Sequence, residues 1–205
     1  MRCILFKKMK KFLVFAVFAV IALSSCKKEK DDNVCMGPEV QMGSGISRSW
    51  ITISHSGKPH EIGVEMTGEV LSGLPKTNFS AAIPLHNKAK EATPFDHLYI
   101  GWAANGHPLP GTFIGPHFDV RFFRMTLEDQ LAIPAPPAAG FTNLPPAGYM
   151  PASYFPDAPV PQLGLHWTNK TFPNPVTQAL ILGSYDGKFT FVAPIIILEV
   201  LQGGQ

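Results

Sequence analysis

The sequence predicts a mainly β, single-domain fold: an antiparallel sandwich or barrel with one or two short helices and a long proline-rich loop. Three observations predict it. Short apolar segments alternate with polar residues at period two and are separated by glycine-containing turns. No apolar pattern of helical period continues beyond about two turns. Residues 134–161 hold 9 prolines in 28 residues, and proline cannot donate a backbone hydrogen bond to a central strand.

The first predicted elements form a hairpin near Ser47, where we expect the folded domain to begin. Residues 50–55 and 62–67 alternate between apolar and polar side chains, and Ser56-Gly57-Lys58 supplies the turn between them. Further elements follow in order: a short helix over 68–74 ended by Pro75, strands over 79–85, 97–102 and 112–125, and a short helix over 126–133. Thr126 would be the N-cap of that last helix, with Asp129 in the place of the usual capping-box glutamate.

The C-terminal part contains the clearest hairpin of the chain. Residues 178–184 and 189–192 flank Tyr185-Asp186-Gly187-Lys188, and an Asp-Gly pair favours a type I′ turn. Residues 163–167 predict a short strand, and the apolar run 195–201 predicts a strand buried on both faces. The proline-rich residues 134–161 also carry aromatic side chains. We therefore interpret them as an ordered loop that wraps the sandwich or barrel or covers a pocket.

The first 25 residues have the zones of a secretory signal peptide. Lysines at positions 7, 8, 10 and 11 precede an apolar run over residues 12–23, and two serines follow it. A membrane-spanning helix needs roughly 20 apolar residues, so this shorter run is not expected to be an anchor by itself. We predict that residues 1–25 are removed on export.

The Leu23-Ser24-Ser25-Cys26 sequence resembles the lipobox of bacterial lipoproteins. The resemblance implies diacylglycerol on the Cys26 sulfur, cleavage before Cys26 and acylation of the new N-terminus, which together would hold the mature chain on a membrane. The charged run over residues 27–32 resembles the export tags of Bacteroidota surface lipoproteins, which implies the outer membrane, on its periplasmic or its surface face. We expect residues 26–46 to be a flexible tether and residues 47–205 to be the mainly β domain.

The charge argues against nucleic-acid binding, and the cysteine content argues against a disulfide framework. The whole chain has 17 basic and 15 acidic residues, but the leader removes Arg2 and four lysines, so the mature part has a net charge of −3. A basic surface for nucleic acid is therefore not expected. Cys35 is the one mature cysteine besides Cys26, so no disulfide framework is predicted.

The sequence contains no nucleophile elbow, Walker loop, dinucleotide fingerprint or His-Glu-x-x-His motif. Its densest group of potential metal ligands or acid–base residues comprises His97, His107, His117, Asp119 and, further on, His166. His117 and Asp119 are two apart on a predicted strand and share one face, while Phe118, Val120 and Phe122 would face the core. A His-x-Asp pair with a third histidine suits a divalent metal. The alternative is a His–Asp hydrogen bond that braces the strand.

Several segments resemble a family of uncharacterised bacterial secreted domains that has a member in a Thermus stress regulon. The resemblance lies in residues 102–111 (WAANGHPLPG) and 116–123 (PHFDVRFF), with further matches at 93–97 (TPFDH), 147–149 (AGY), 164–167 (GLHW) and 185–188 (YDGK). It covers most of residues 48–201 and implies a shared fold, and no activity comes with it. In that family a histidine often stands two residues after the aspartate, where this chain has Arg121. We therefore expect His117, Asp119 and Arg121 to form a hydrogen-bonded cluster near the 134–161 loop, without a tightly bound metal.

Three functions remain open from the sequence. The first is a ligand-binding or interaction domain displayed on the envelope, with a small molecule or an envelope protein as partner. The second is a metal-dependent enzyme that uses the His117 and Asp119 face, whose cofactor the sequence leaves unknown. The third is a structural or stress-related envelope protein that forms an oligomer.

Overall fold

The computed structural model describes residues 33–106, 115–169 and 178–203, and the residues from Asn33 onward belong to one unit. Cys26 and the predicted leader lie outside the described residues. Eleven described strands form two antiparallel sheets, so the mainly β prediction is confirmed; neither sheet closes into a barrel over the described residues. None of the described helices is long and apolar enough to span a bilayer.

Sheet A has four strands built around one long central strand. They are β1 (Asn33–Met36), β2 (Val40–Met42), β3 (Gly45–Ile53) and β4 (Pro59–Met66). β3 pairs with β4, as the predicted hairpin requires, and also pairs with both β1 and β2. Asn33 pairs with Ile53 and Met42 pairs with Gly45, so β1 and β2 lie toward opposite ends of β3.

Sheet B has seven strands in the order β5-β6-β7-β11-β10-β9-β8. Their bounds are β5 Phe79–Pro84, β6 His97–Ala103, β7 His117–Phe123, β8 Tyr154–Val160, β9 Gly164–Asn169, β10 Gln178–Tyr185 and β11 Lys188–Ile197. The turn between β10 and β11 has φ of 47° at Asp186 and 75° at Gly187. Positive φ at both central residues is what a type I′ turn needs, so this prediction is confirmed.

The five described helices are all short. They are α1 (Gly68–Ser72), α2 (Asn87–Ala92), α3 (Leu127–Leu131), α4 (Ala139–Thr142) and α5 (Leu198–Leu201). The sequence predicted α1 and α3, and the Thr126 hydroxyl caps α3 by accepting from the Asp129 N–H at 3.1 Å and donating to its carboxylate at 2.7 Å. None of the five exceeds six residues, which is too short to produce a helical period, so the two that were predicted were found from their flanking proline and cap residues.

The core lies between the sheets and on both sides of sheet B. We call the face of sheet B with Leu98, Ile100, Phe118, Val120 and Phe122 its inner face; it packs against Met42, Ile51 and Ile53 of sheet A. We call the opposite face its outer face; it carries a second apolar cluster of Phe123, Ile181, Phe191, Ala193 and Ile195. Successive side chains of β7 therefore point alternately into two buried environments: an apolar one on the inner face, and one with both polar and apolar groups on the outer face.

Two predicted boundaries are corrected by the structure. The tether was expected to reach residue 46, but β1 and β2 are strands, and Cys35, Val40 and Met42 pack into the core between the sheets. Strands of three and four residues are too short for a convincing alternation, and they follow a charged run. The apolar run 195–201 was expected to be one strand, but β11 ends at Ile197 and α5 follows, with Val200 and Leu201 exposed.

The proline-rich residues 134–161 are more regular than a loop. They contain α4 and the strand β8, which lies at the edge of sheet B and has a register shift between Pro156 and Pro159. An edge strand tolerates proline because its outward-facing N–H groups have no ladder partner. Phe141, Met150 and Tyr154 of this segment pack with Leu165, Trp167 and Leu182, which lie on the inner face of sheet B.

Candidate functional site

The sequence-predicted polar residues of β7 lie together on the outer face of sheet B. His117, Asp119 and Arg121 alternate with Phe118, Val120 and Phe122, which contact the core between the sheets. All three polar side chains are buried, with 0%, 3% and 5% exposure. β7 is flanked by β6 and β11, so the cluster sits in the interior of the sheet and not at an edge.

A buried ion pair is the centre of this cluster. Arg121 Nη2 donates to Asp119 Oδ2 at 2.8 Å, and both side chains are at most 6% exposed. Arg121 Nε is also buried and has no acceptor among the residues that the structure describes. Removing two charges from water costs several kcal/mol per ion, so a buried pair is weak evidence for a role in stability alone.

His117 extends the cluster toward one end of β7. Its Nδ1 lies 2.8 Å from the Gly115 carbonyl oxygen, and its Nε2 lies 3.8 Å from Asp119 Oδ1, beyond hydrogen-bond distance. A carbonyl oxygen can only accept, so Nδ1 carries the hydrogen. Nε2 is the ring nitrogen on the side of Asp119.

Gly101 makes room for the guanidinium, and sequence reasoning did not single it out. It pairs with Asp119 across β6 and β7. A Cβ at this position would lie 2.8 Å from Arg121 Nη1 and 3.4 Å from Asp119 Oδ2. A glycine inside a strand often marks a close approach by a neighbouring group, and that signal was available in the sequence.

His166 of β9 joins the cluster across a small cavity. The cavity has about 20 Å³ and is lined by Asp119, Arg121, His166 and Thr168 with Ile181, Ala193 and Ile195. A space of this size holds about one water molecule. The proline-rich segment does not border it, because Leu165 and Trp167, which that segment contacts, point to the inner face while His166 and Thr168 point to the outer face.

The two remaining histidines of the predicted group are placed differently. His97 pairs with Phe123 across β6 and β7, whereas Asp119 pairs with Gly101. The His97 and Phe123 rings are stacked, with centroids 5.2 Å apart. Its Nε2 is 2.6 Å from Gln130 Oε1 and its Nδ1 is 3.2 Å from Asp96 Oδ1, so it joins β6 to α3. His107 lies outside the described residues. Within residues 33–106, 115–169 and 178–203, no three His, Cys, Asp or Glu side chains converge closely enough to hold a metal ion.

A larger cleft opens between the sheets, where the sequence predicted a tether, a short helix and a strand but no pocket. It has about 280 Å³ and contains residues from β2, the turn after it, α1, the segment following α1, and β5. They are Gln41, Met42, Gly43, Val70, Gly73, Leu74, Pro75, Phe79, Ser80 and Ala81. Small-molecule sites begin at about this size and are mainly apolar with a few polar groups.

Close backbone approaches form the walls of this cleft. A Cβ at Gly45 would lie 2.6 Å from the Val70 backbone nitrogen, so the first turn of α1 rests directly on β3. Thr67 N–H donates to the Ile46 carbonyl at 3.0 Å, which fixes the start of α1. On the other side the Trp102 indole N–H donates to the Pro75 carbonyl at 2.9 Å and holds the segment after α1 against sheet B.

The cleft and the start of the described chain lie at opposite ends of β3. Met42 pairs with Gly45 beside the cleft, and Asn33 pairs with Ile53 at the other end. Eight residue steps of β-strand separate Gly45 from Ile53, which is about 26 Å.

A comparison with protein families supports the resemblance inferred from the sequence. Residues 54–102 match the TTHB210-like family, described as "Hypothetical protein TTHB210". Over this segment the chain is similar to an uncharacterised family with a Thermus member. The match runs from the end of β3 to β6 and includes the cleft residues from Val70 to Ala81, but it stops before β7 and its polar cluster. No curated protein and no solved structure matches the chain.

Proposed function

We propose that this chain is a lipid-anchored protein of the bacterial envelope whose β-sandwich binds a neutral, mainly apolar small molecule in the cleft beside α1. The observation that carries the proposal is the cleft itself, about 280 Å³ between the two sheets. The polar cluster on β7 is the weaker candidate for this ligand, because its cavity of about 20 Å³ accommodates no more than a water-sized occupant.

The lining of the cleft indicates the class of ligand. Met42, Val70, Leu74, Phe79 and Ala81 supply an apolar surface, and the lining residues that the structure describes carry no charged side chain. An ionised ligand would lose its hydration without gaining a charged partner, which costs far more than burying apolar surface gains. The backbone groups of the lining residues, at Ser80 and at the two glycines, remain as polar contacts that can orient a neutral molecule.

Binding in the cleft is tested with the neutral dye N-phenyl-1-naphthylamine, which becomes fluorescent in apolar sites. We expect saturable binding to the purified chain and at least a tenfold loss of affinity in Ala81→Phe, because the added ring fills the cleft. The matched control is Ala82→Phe, one residue further along β5: Ala82 pairs with Tyr99 and points to the outer face. Equal affinity in both variants at unchanged melting temperature, or no saturable binding at all, would contradict the proposal.

Anchoring is tested separately by acyl labelling in cells. We expect Cys26→Ala to abolish incorporation of labelled palmitate and to leave the protein unanchored or uncleaved, since the lipobox sulfur is the acylated atom. Cys35→Ala is the matched control and should keep both properties, because Cys35 lies in β1 and packs against the core. A Cys26→Ala protein that is labelled and sediments with membranes would exclude the lipoprotein assignment.

A further inference from the structure

We propose that the end of the sandwich opposite the cleft rests on anionic headgroups of the anchoring membrane, with Lys58 and Lys88 as its contacts and Val34, next to Asn33 in β1, at the same end. This surface, formed by Asn33, Val34, the β3–β4 turn and the first turn of α2, is called the tether-end surface below. The inference rests on the proposed anchoring at Cys26, whereas it does not depend on what the cleft binds.

The chain between the lipidated residue and the fold is short. β1 begins at Asn33, seven residues after Cys26. A fully extended chain spans at most about 3.6 Å per residue, so Asn33 lies within about 25 Å of the lipidated residue. That is close to the length of β3 itself. The anchor therefore keeps the tether-end surface within reach of the membrane.

The tether-end surface exposes a shallow cavity and a lysine on a hydrogen-bonded turn. Asn33, Ser54, His55, Gly57, Lys88 and Glu91 line one shallow cavity there, which joins the β3–β4 turn to α2. Lys58 ends that turn and is held in place by Ser54, whose backbone N–H donates to the Lys58 carbonyl at 2.9 Å and whose hydroxyl accepts from the Lys58 N–H at 3.1 Å. The lysine is thus presented from a fixed turn, although its side chain is exposed.

The two lysines of this surface are available to contact headgroups. Lys58 and Lys88 are exposed, and neither forms an ion pair with the residues that the structure describes, whereas Lys90 on the same helix pairs with Asp96 at 3.2 Å. Glu91 is the acidic group on the same cavity and limits the attraction. Val34 is 59% exposed on β1, one residue from the point where the tether enters, and an exposed apolar side chain there suits the headgroup boundary.

Electrostatic attraction of this kind is modest and depends on salt. A lysine near an anionic membrane surface strengthens binding by roughly fivefold, and the effect falls off over a Debye length of about 8 Å at physiological ionic strength. Two lysines cannot hold the domain on a membrane from solution. They can orient a domain that a lipid anchor already keeps within reach, because the local concentration of headgroups is then high.

The experiment attaches the mature chain through Cys26 to a maleimide phospholipid, in a Cys35→Ser background, so that its outcome is independent of lipidation in cells. Amide hydrogen exchange is compared on phosphatidylcholine vesicles with and without phosphatidylglycerol. We expect exchange of residues 54–58 and 87–90 to slow at least threefold on the anionic vesicles at low salt and to recover at 0.5 M salt. Residues 43–45 and 73–78, at the cleft end, should be unchanged.

Charge-reversal variants identify the contacts. Lys58→Glu with Lys88→Glu should remove the protection, and Val34→Asp should reduce it. Lys76→Glu is the matched control: Lys76 is an exposed lysine beside the cleft, and its replacement should leave the protection intact. Identical exchange on both kinds of vesicle, or protection at the cleft end instead, would overturn the inference. Failed acyl labelling in cells would remove the proposed anchoring without changing these vesicle results.

Discussion

Replacing Asp119 by alanine is expected to lower the free energy of unfolding by about 3–5 kcal/mol. The substitution removes the only carboxylate that Arg121 contacts among the described residues and leaves a side chain that is 6% exposed without that counter-ion. An unpaired buried charge keeps its full desolvation cost, which is why breaking a buried pair costs more than the pair itself contributes. Urea unfolding of the purified chain measures the change.

The double variant Asp119→Leu with Arg121→Met removes both charges. It therefore separates the net contribution of the ion pair to stability from the cost of leaving one buried charge unpaired. Apolar residues of similar size have often matched or exceeded the stability of the buried ion pair they replaced. We expect the double variant to regain most of the stability lost in Asp119→Ala, because Ile181, Ala193 and Ile195 already make that part of the outer face apolar. Glu65→Ala, which breaks the exposed pair with Arg48, should cost about 1 kcal/mol or less.

A small effect of Asp119→Ala would change the interpretation of the whole outer face. It would mean that water or another group reaches Arg121 easily, which requires a more open cavity than about 20 Å³. The cluster would then be a better candidate for the binding site than the cleft, and the sequence-based hypothesis of a metal-dependent site on His117 and Asp119 would again need a test by metal analysis. A large effect with recovery in the double variant supports a structural role.

The parts of the fold that sequence analysis predicted correctly are those where local chemistry leaves little choice. Asp186-Gly187 specifies a type I′ turn because both residues tolerate positive φ, and the Thr126 cap specifies the start of α3. The faces of β7 follow from strict alternation. The turn, the cap and the alternation each lie within a single short segment of the chain.

What could not be predicted depends on contacts between distant segments. β1 and β2 are strands because β3 offers them an open edge, and nothing in residues 33–42 alone distinguishes them from a tether. The cleft has the same origin, since Met42, Val70 and Phe79 meet only after both sheets have formed. Burial of His117, Asp119 and Arg121 was also not predictable, because the alternation of β7 indicates which face they share and not what covers it.

A second large effect is expected at Gly183, where β10 passes beneath an aromatic ring. A Cβ at this position would lie 2.1 Å from Cε1 of Phe191, far inside contact distance. The Phe191 side chain is fully buried, with ring centroids of Phe123 at 5.1 Å and His166 at 5.5 Å. Because the ring is enclosed on these sides, Gly183→Ala should destabilise the protein by about 2–3 kcal/mol through overpacking.

The rescue by a smaller partner makes this prediction specific. Phe191→Leu alone should cost about 1–3 kcal/mol because it leaves a void beside Gly183. In Gly183→Ala with Phe191→Leu the alanine methyl group enters that void. The destabilisation of this double variant should therefore be smaller than the sum of the two single-variant values by at least about 1 kcal/mol. Gly68→Ala is the control, since a Cβ there meets no atom within 4 Å and its backbone needs no positive φ. Strictly additive costs would show that the Phe191 ring can move aside, and that the packing around His166 and the Asp119–Arg121 pair is looser than these contacts indicate.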